Sequence, residues 1–420
     1  MRIIIIGAGL LGVSTAYYLN RQGCAVTVLD RKEGAGMDTS YANGGMITPS
    51  QADPWNAPGI VGKILRIAGT ETSPLRVKFL SLFSSLQWGR LFFANASPER
   101  FMTNLKKNGI LANYSLKTLQ ALRNETGICY DESFLGTMKV YRDRRAFERA
   151  VSISETLKSL DVNFEFLKPE KVLEKEPALA GSIQMIKGGI YYPDDEAGDA
   201  HKFCKVLADR AGREGVEFRY NTDIRSFETA AGGLIRAARS SENSYVADAY
   251  ILAAGSYSTF LAESLGLSIP VRPVKGYSIT LDLENWRTRP RIPVIDDARH
   301  IALTPLGQRL RVAGMAELFG FDTRIYSDRI NKLLAFAEHI YPAVSQYLDR
   351  SSIREWSGLR PYSGDGVPIM GKTGIKNLYL NTGHGHLGWS MAVGSGKLVA
   401  DYICAKGTEI DIAPYQLERF

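Results

Sequence analysis

Cysteine is scarce and scattered: Cys24, Cys129, Cys204 and Cys404 are the only four in 420 residues. No two stand in a CxxC pair or at metal-ligand spacing. That excludes a disulfide framework or a zinc module and reads as reduced, mostly buried thiols. No window of 18 apolar residues occurs, so no membrane-spanning helix is expected. The four isoleucines after Met1-Arg2 are too short a run for a signal peptide, and Gly7 interrupts them at once. These absences point to the cytoplasm. A large excess of one charge is also missing. The 51 Lys and Arg against 44 Asp and Glu leave +7, and the basic residues do not run together. Nucleic acid is therefore not the expected partner, while acidic substrates or an anionic membrane surface stay possible. No internal repeat or low-complexity tract stands out. What remains is an ordinary globular composition, 45% hydrophobic and 23% charged. The chain is too long for one compact core, so two domains are the default.

What is present is concentrated in the first twelve residues. Ile3-Ile4-Ile5-Ile6 is a short β-branched strand of the kind buried on both faces in a parallel sheet. Gly7, Gly9 and Gly12, with Ala8, Leu10 and Leu11 between them, fit the turn into a helix over 10–20 that holds a dinucleotide pyrophosphate. The first glycine permits the tight turn, the second lets backbone approach phosphate, and the third lets helix pack on strand. Ala25-Val26-Thr27-Val28-Leu29 reads as the second strand, and Asp30, followed by Arg31, ends it where an acid takes a ribose hydroxyl. A lone GxGxxG is weak evidence. Strand, glycines, helix, strand and acid in that order are strong.

Residues 33–59, rich in Gly, Asn, Ser and Pro, form a long loop, and structureless loops of that length are usually functional. Residues 60–125 look helical. Phe79, Leu82, Phe83 and Leu86 share one apolar face, extended by Trp88, Leu91, Phe92 and Phe93 and surrounded by Lys63, Arg66, Arg76, Lys78 and Arg90. Two readings stay open: the face packs on the protein's own core, or a basic amphipathic surface over 60–95 lies on a membrane. Strands over 128–145, 187–193, 270–282 and 300–315 suggest an antiparallel sheet. A helix over 199–214 capped by Asp199, strands over 216–220 and 245–254, and a strand over 377–381 leading through a glycine-rich turn into a helix that reaches Cys404 return to the nucleotide fold. The expected architecture is α/β. A discontinuous Rossmann-like domain is drawn from 1–90, 198–269 and 346–420, and an α+β domain with an antiparallel sheet from 91–197 and 270–345. The acidic stretch Asp194-Asp195-Glu196-Ala197-Gly198-Asp199 lacks calcium-loop spacing and histidine partners, so no metal site is expected. A capping, solvated role at a helix start is expected instead.

Seven local motifs then fall in one order. They are Thr39-Ser40-Tyr41-Ala42-Asn43-Gly44-Gly45-Met46-Ile47-Thr48-Pro49, Asp53-Pro54-Trp55-Asn56-Ala57-Pro58-Gly59, Gly255-Ser256-Tyr257-Ser258-Thr259, Val274-Lys275-Gly276-Tyr277-Ser278-Ile279-Thr280, Gly314-Met315-Ala316-Glu317, Gly358-Leu359-Arg360-Pro361 and Thr382-Gly383-His384-Gly385-His386-Leu387-Gly388-Trp389. In these the chain resembles, over essentially its whole length, the D-amino-acid oxidase-like FAD oxidoreductases, and within them the bacterial D-amino-acid dehydrogenases of small-subunit type. The resemblance implies an FAD domain and an antiparallel sheet that roofs the flavin. It also implies FAD held non-covalently, since the covalent-flavin cysteine of some sarcosine-oxidase relatives has no evident counterpart. The implied reaction is oxidative deamination of a D-amino acid, by hydride transfer from Cα to flavin N5, to an imino acid that hydrolyses to a 2-oxo acid and ammonia. Electrons pass to a quinone or another carrier, which gives the 60–95 surface a possible task at the inner face of the cell membrane.

On that reading Gly7, Ala8, Gly9, Leu10, Leu11 and Gly12 present backbone N–H groups to the pyrophosphate, and Asp30 with Arg31 takes the adenosine ribose. Ser40, Asn43, Gly44, Gly45 and Met46 wrap the ribityl chain and inner phosphate, Asn43 offering an amide, and Ala254 and Gly255 add backbone. The turn Gly383, His384, Gly385, His386, Leu387 and Gly388 aims a helix N-terminus at the negative charge on the reduced ring. His384 and His386 cap backbone or bond the cofactor edge rather than act as bases, because hydride transfer needs alignment more than a base. Arg360 is the expected carboxylate anchor, its planar fork matching a carboxylate; a structural ion pair is the alternative. Tyr257 and Tyr277 are second contacts or pocket walls, and Trp55, Met46 and His300 line the pocket. Two alternatives stand beside this reading: a D-proline, D-hydroxyproline, glycine or sarcosine type of enzyme, and a non-catalytic membrane-associated flavoprotein. The oligomeric state is not indicated.

Overall fold

The computed structural model describes residues 1–60, 62, 75–77, 86–230 and 232–420. The Arg2–Ile6 strand sits near the middle of a six-stranded sheet in the order Ile369–Lys372, Leu378–Thr382, Ala249–Leu252, Arg2–Ile6, Ala25–Leu29, Glu217–Arg219. Every pairing is parallel except that of Ile369–Lys372 with Leu378–Thr382. Ile3 through Ile6 are all buried, as a parallel strand covered on both faces requires. The helix Leu10–Arg21 lies on one face against the C-terminal helix Gly388–Ile403 and the helix Ala200–Arg213. Asp199 caps the last of these, its carboxylate accepting from the backbone N–H of His201 and Lys202 at 3.0 and 3.2 Å.

A second sheet of nine strands runs Arg354–Ser363, Val271–Asp282, Arg309–Leu318, Ile301–Leu306, Val294–Asp296, Thr137–Tyr141, Gly188–Tyr192, Glu165–Leu167, with Leu75–Val77 also paired to Arg309–Leu318. It is antiparallel except where Val294–Asp296 meets Thr137–Tyr141 and Leu75–Val77 meets Arg309–Leu318. The expected strand over 300–315 is two strands joined at Gly307 (φ +61°).

Segments 346–420 and 91–197 each divide between the two bodies. Arg354–Ser363 pairs with Val271–Asp282 in the second sheet, whereas Ile369–Lys372 and Leu378–Thr382 belong to the first. The long helix Pro98–Thr126 buries Leu111, Ala112, Leu116 and Leu119 in the core of the first body, packed against Gly388–Ile403. The acidic stretch also departs from a solvated role: only Asp194 is exposed. Glu196 pairs with Arg123 at 2.7 Å, Asp199 with Arg309 at 2.8 Å, and buried Asp195 accepts from Ser50 and Thr137 hydroxyls, each at 2.5 Å. Chain folding brings partners from other elements onto these acids, which a local pattern does not register. Cys24 and Cys404, 380 residues apart, come within 3.6 Å of each other as free thiols; Cys129 is exposed.

Of the apolar face over 79–93, Phe79, Leu82 and Phe83 lie outside the described residues, as do Lys63, Arg66 and Lys78. Trp88 and Phe92 are buried against Val274 and Tyr362, while Leu86 and Phe93 are exposed. Arg76 pairs with Asp328 at 2.9 Å. Among the described residues no helix is long and apolar enough to cross a membrane.

Candidate active site

The two sheets enclose one continuous cavity of about 2450 Å³ that reaches from Asp30 to Arg360. Ordinary small-molecule pockets hold roughly 300–1,000 Å³, so there is room for a dinucleotide and a second ligand. At the Asp30 end the glycines are sterically enforced. Gly7 has φ +110°, and a Cβ on Gly12 would lie 1.8 Å from the Gly7 oxygen. The helix Leu10–Arg21 has no side-chain cap at Gly9, so the Leu11 and Gly12 N–H groups of its first turn, which have no intrahelical acceptor, are available to an anion. Asp30 also holds the turn together: Oδ2 accepts from Ala8 N at 2.6 Å and Oδ1 from Lys32 N at 2.8 Å. Burial pushes its carboxyl up, and those two bonds pull it back. The same carboxylate lines the cavity. Leu10 N donates to Ser40 Oγ at 3.2 Å, closing the long loop onto the helix start.

Tyr257 lines the cavity at its Asp30 end. The Arg31 guanidinium lies 3.7 Å from its ring centroid and pairs with Asp38 at 2.5 Å. That cation–π contact holds Tyr257 at the Asp30 end, beside Ala254 and Gly255. Among the described residues no hydrogen bond, ion pair or ring contact joins it to Arg360.

The loop 42–45 is pinned by its own carbonyls. Ser278 Oγ donates to Ala42 O at 2.7 Å, Arg311 Nη1 to Asn43 O at 3.0 Å, Thr304 Oγ1 to Gly44 O at 2.6 Å, and Gly198 N to Gly45 O at 2.8 Å. The roofing sheet supplies three of these four donors, so it fixes the loop's height under it. The Asn43 side-chain oxygen accepts from Gly45 N at 3.0 Å, which commits it to the turn rather than to a ligand. Met46 follows in a short strand paired with Ala197 and lines the cavity.

On the opposite side, Gly383 (φ +80°) and Gly385 (φ +55°) shape the turn into Gly388–Ile403, whose N-terminus has no side-chain cap. His384 is buried with Nε2 2.8 Å from Ser395 Oγ and Nδ1 without a partner. Burial lowers its pKa to about 3, and that of His386 to about 4. Both rings are neutral at physiological pH and are weak bases there. His386 stacks on Trp55, ring centroids 5.0 Å apart and planes 18° apart.

Arg360 projects from the Arg354–Ser363 strand across Gly276, where an added Cβ would come within 2.2–2.4 Å of the guanidinium atoms. Nη1 donates to the Met315 carbonyl at 3.0 Å, and Cζ is 5.6 Å from the Trp55 ring centroid. That carbonyl is presented by a bulge. The register skips between Lys275↔Glu317 and Tyr277↔Gly314, and Met315 takes φ +64°, a strained value for a non-glycine residue. Among the described residues no carboxylate lies within ion-pair distance of Arg360. Desolvation alone lowers its pKa, to about 10, so it stays charged at neutral pH. A half-buried, unpaired guanidinium bordering a cavity is a built anion site.

Tyr362, two residues on and therefore on the same strand face, stacks on Trp55 at 5.2 Å, and its hydroxyl accepts from Trp55 N at 2.5 Å. Trp88 Nε1 bonds the Tyr362 carbonyl at 2.9 Å. Sequence reasoning missed Tyr362, Gly276 and Trp88; the period-2 spacing from Arg360 was the available signal for Tyr362. Tyr277 stands differently from expectation. It is 1% exposed, and its hydroxyl donates to Glu317 Oε2 at 2.8 Å, which in turn pairs with Arg329 at 2.6 Å. The residue lines the cavity. His300 is exposed at the cavity rim with φ +52°.

Residues 2–402 match the family of FAD dependent oxidoreductases designated DAO. The chain belongs to that family. It is 42% identical over 421 residues to the D-amino acid dehydrogenase of Xanthobacter autotrophicus, covering 100% of this chain and 99% of that one. It is 41% identical to the D-amino acid dehydrogenase of Paramagnetospirillum magneticum at the same coverage. Among solved structures it superposes on the L-proline dehydrogenase from P. horikoshii with TM-score 0.79 at 18% identity, covering 100% of this chain and 97% of that chain, which speaks for the fold alone. The DAO chain's uncapped helix start, glycine cradle and pinned 42–45 loop fit an FAD, the cofactor that the family's description names.

Proposed function

We propose that the protein is an FAD-dependent D-amino acid dehydrogenase that oxidatively deaminates D-amino acids to 2-oxo acids and ammonia. The observation that carries this reading is the unpaired Arg360 guanidinium bordering the cavity, supported by full-length relatives of that name. Gly7, Gly9, Leu10, Asp30, Ser40 and the 42–45 loop hold the FAD, which supplies the hydride acceptor when bound. Arg360 takes the substrate carboxylate bidentately. Its own orientation is set by the Met315 carbonyl and the flat seat over Gly276, so the anchor is pre-organised. The stacked Trp55, Tyr362 and His386 rings wall the site and exclude water. Neutral His386 brings no positive charge toward the substrate amine, which reacts unprotonated. The imino product hydrolyses after release.

Electrons leave to a quinone or another carrier. Exposed Leu86 and Phe93, with Arg90 between them on Leu86–Ala94 at the cavity rim, support docking of that carrier at the inner face of a membrane. Anaerobic addition of D-alanine or D-proline to the yellow holoprotein is expected to bleach the flavin, and the L-enantiomers are not. Bleaching by neither enantiomer across a broad amino-acid panel would refute the reading.

A further inference from the structure

The cavity does not end at Arg360. It continues to a polar wall formed by Asp53, Lys139, Tyr141 and Asp297. Both Asp53 and Arg360 lie within electrostatic reach of the His386 ring, with opposite effect. Lys139 Nζ is 3.1 Å from Asp297 Oδ1. Burial works against the Lys139 charge, and Tyr141, Asp53 and Asp297 more than offset it. Asp53 itself is half-buried. Among the described residues it accepts no hydrogen bond and forms no ion pair. Two carboxylates and one ammonium leave this wall with a net negative charge. Arg149, another cation lining the cavity, is exposed, where water screens it.

A substrate whose α-carboxylate sits on Arg360 lies beside the Trp55, Tyr362 and His386 rings in a cavity that Asp53 also lines. Its side chain shares that cavity with the Asp53 wall. A half-buried carboxylate bordering that space, with no hydrogen bond or ion pair among the described residues, rewards a donor and penalises another anion. We propose that Asp53 is a specificity-determining residue. It binds the far end of the substrate side chain and selects D-amino acids ending in an ammonium or guanidinium group over those ending in a carboxylate. The inference rests on the reading of Arg360 as the carboxylate anchor and adds the substrate class to it.

The test is steady-state kinetics of the holoenzyme with an artificial electron acceptor on D-lysine, D-norleucine, D-glutamate and D-alanine. D-norleucine has the length of D-lysine without the ammonium. Relative to wild type, Asp53→Asn is expected to lower the D-lysine to D-norleucine ratio of kcat/KM by about tenfold or more, a charged hydrogen bond's worth. The loss falls in KM, and the D-glutamate to D-norleucine ratio moves the other way. Asp53→Glu is expected to restore the wild-type order. Both ratios within twofold of wild type would overturn the proposal. Should Asp53→Asn fail to fold or to hold flavin, the wild-type protein still decides: a higher kcat/KM for D-glutamate than for D-lysine overturns it. D-alanine separates the two levels. If D-alanine reduces the flavin and the ratios do not move, the Asp53 assignment alone falls; if no D-amino acid reduces it, the anchor reading falls and Asp53 with it.

Discussion

Gly276→Ala tests the seat under Arg360 without touching Arg360. Gly276 pairs with Gly358 on one side, sits opposite the Met315 bulge on the other, and has no positive φ, so alanine is compatible with its own backbone conformation. The added Cβ would lie 2.2 Å from Nη1 and 2.4 Å from Cζ and Nη2, whereas ordinary contact begins at 3.4 Å. The guanidinium must therefore retreat by more than ~1 Å, and as the far end of a flexible side chain it does so at small cost to folding. A misplacement of that size at a positioning group costs on the order of 10²-fold in rate, or about 2.7 kcal/mol of transition-state stabilisation. The assay is kcat/KM for D-alanine beside flavin content and thermal midpoint. The expected result is a fall of about 100-fold with both controls near wild type. Activity within threefold of wild type, with flavin bound, would refute the positional argument.

Asp195 offers a stability test. Burial raises its pKa to about 7, the Ser50 and Thr137 hydrogen bonds notwithstanding. The folded state therefore holds a proton that the unfolded chain releases near pH 4. Stability is greatest below that value and declines as pH rises toward about 7. Asp195→Asn is expected to flatten the denaturation midpoint between pH 5 and pH 7.5, and identical slopes in variant and wild type would contradict it. The rate has its own pH signature. With His384 and His386 neutral above about pH 4 and Arg360 charged to about pH 10, the substrate amine, near 8, controls the middle range. Flavin reduction by D-alanine is expected to rise through mildly alkaline pH as a single ionisation; a flat profile there would exclude it.

The sequence made the nucleotide half legible because its signals are local. Four isoleucines, three spaced glycines and Asp30 fall within 30 residues, and each follows from backbone geometry that neighbours cannot override. Arg360 was legible from its motif. Its seat was not: Gly276 and Met315 reach it from two other strands, and the bulge that turns the Met315 carbonyl inward has no glycine at its left-handed residue to announce it. What Tyr257 and Tyr277 touch was not legible for the same reason, although both line the cavity as expected from the sequence. Their neighbours Arg31 and Glu317 lie 226 and 40 residues away, and only the folded chain shows which ring or hydroxyl is already engaged. Assigning 346–420 to one body fails similarly, because the Arg354–Ser363 strand chooses its sheet by pairing with Val271–Asp282.

The most direct measurement is D-alanine turnover by Arg360→Met, a substitution that keeps the bulk and removes the charge. Two charge-assisted hydrogen bonds at roughly 1.5–3 kcal/mol each correspond to a loss of about 10²-fold or more in kcat/KM, with FAD still bound. Turnover within threefold of wild type in a variant fully loaded with FAD would mean that the substrate carboxylate is held elsewhere.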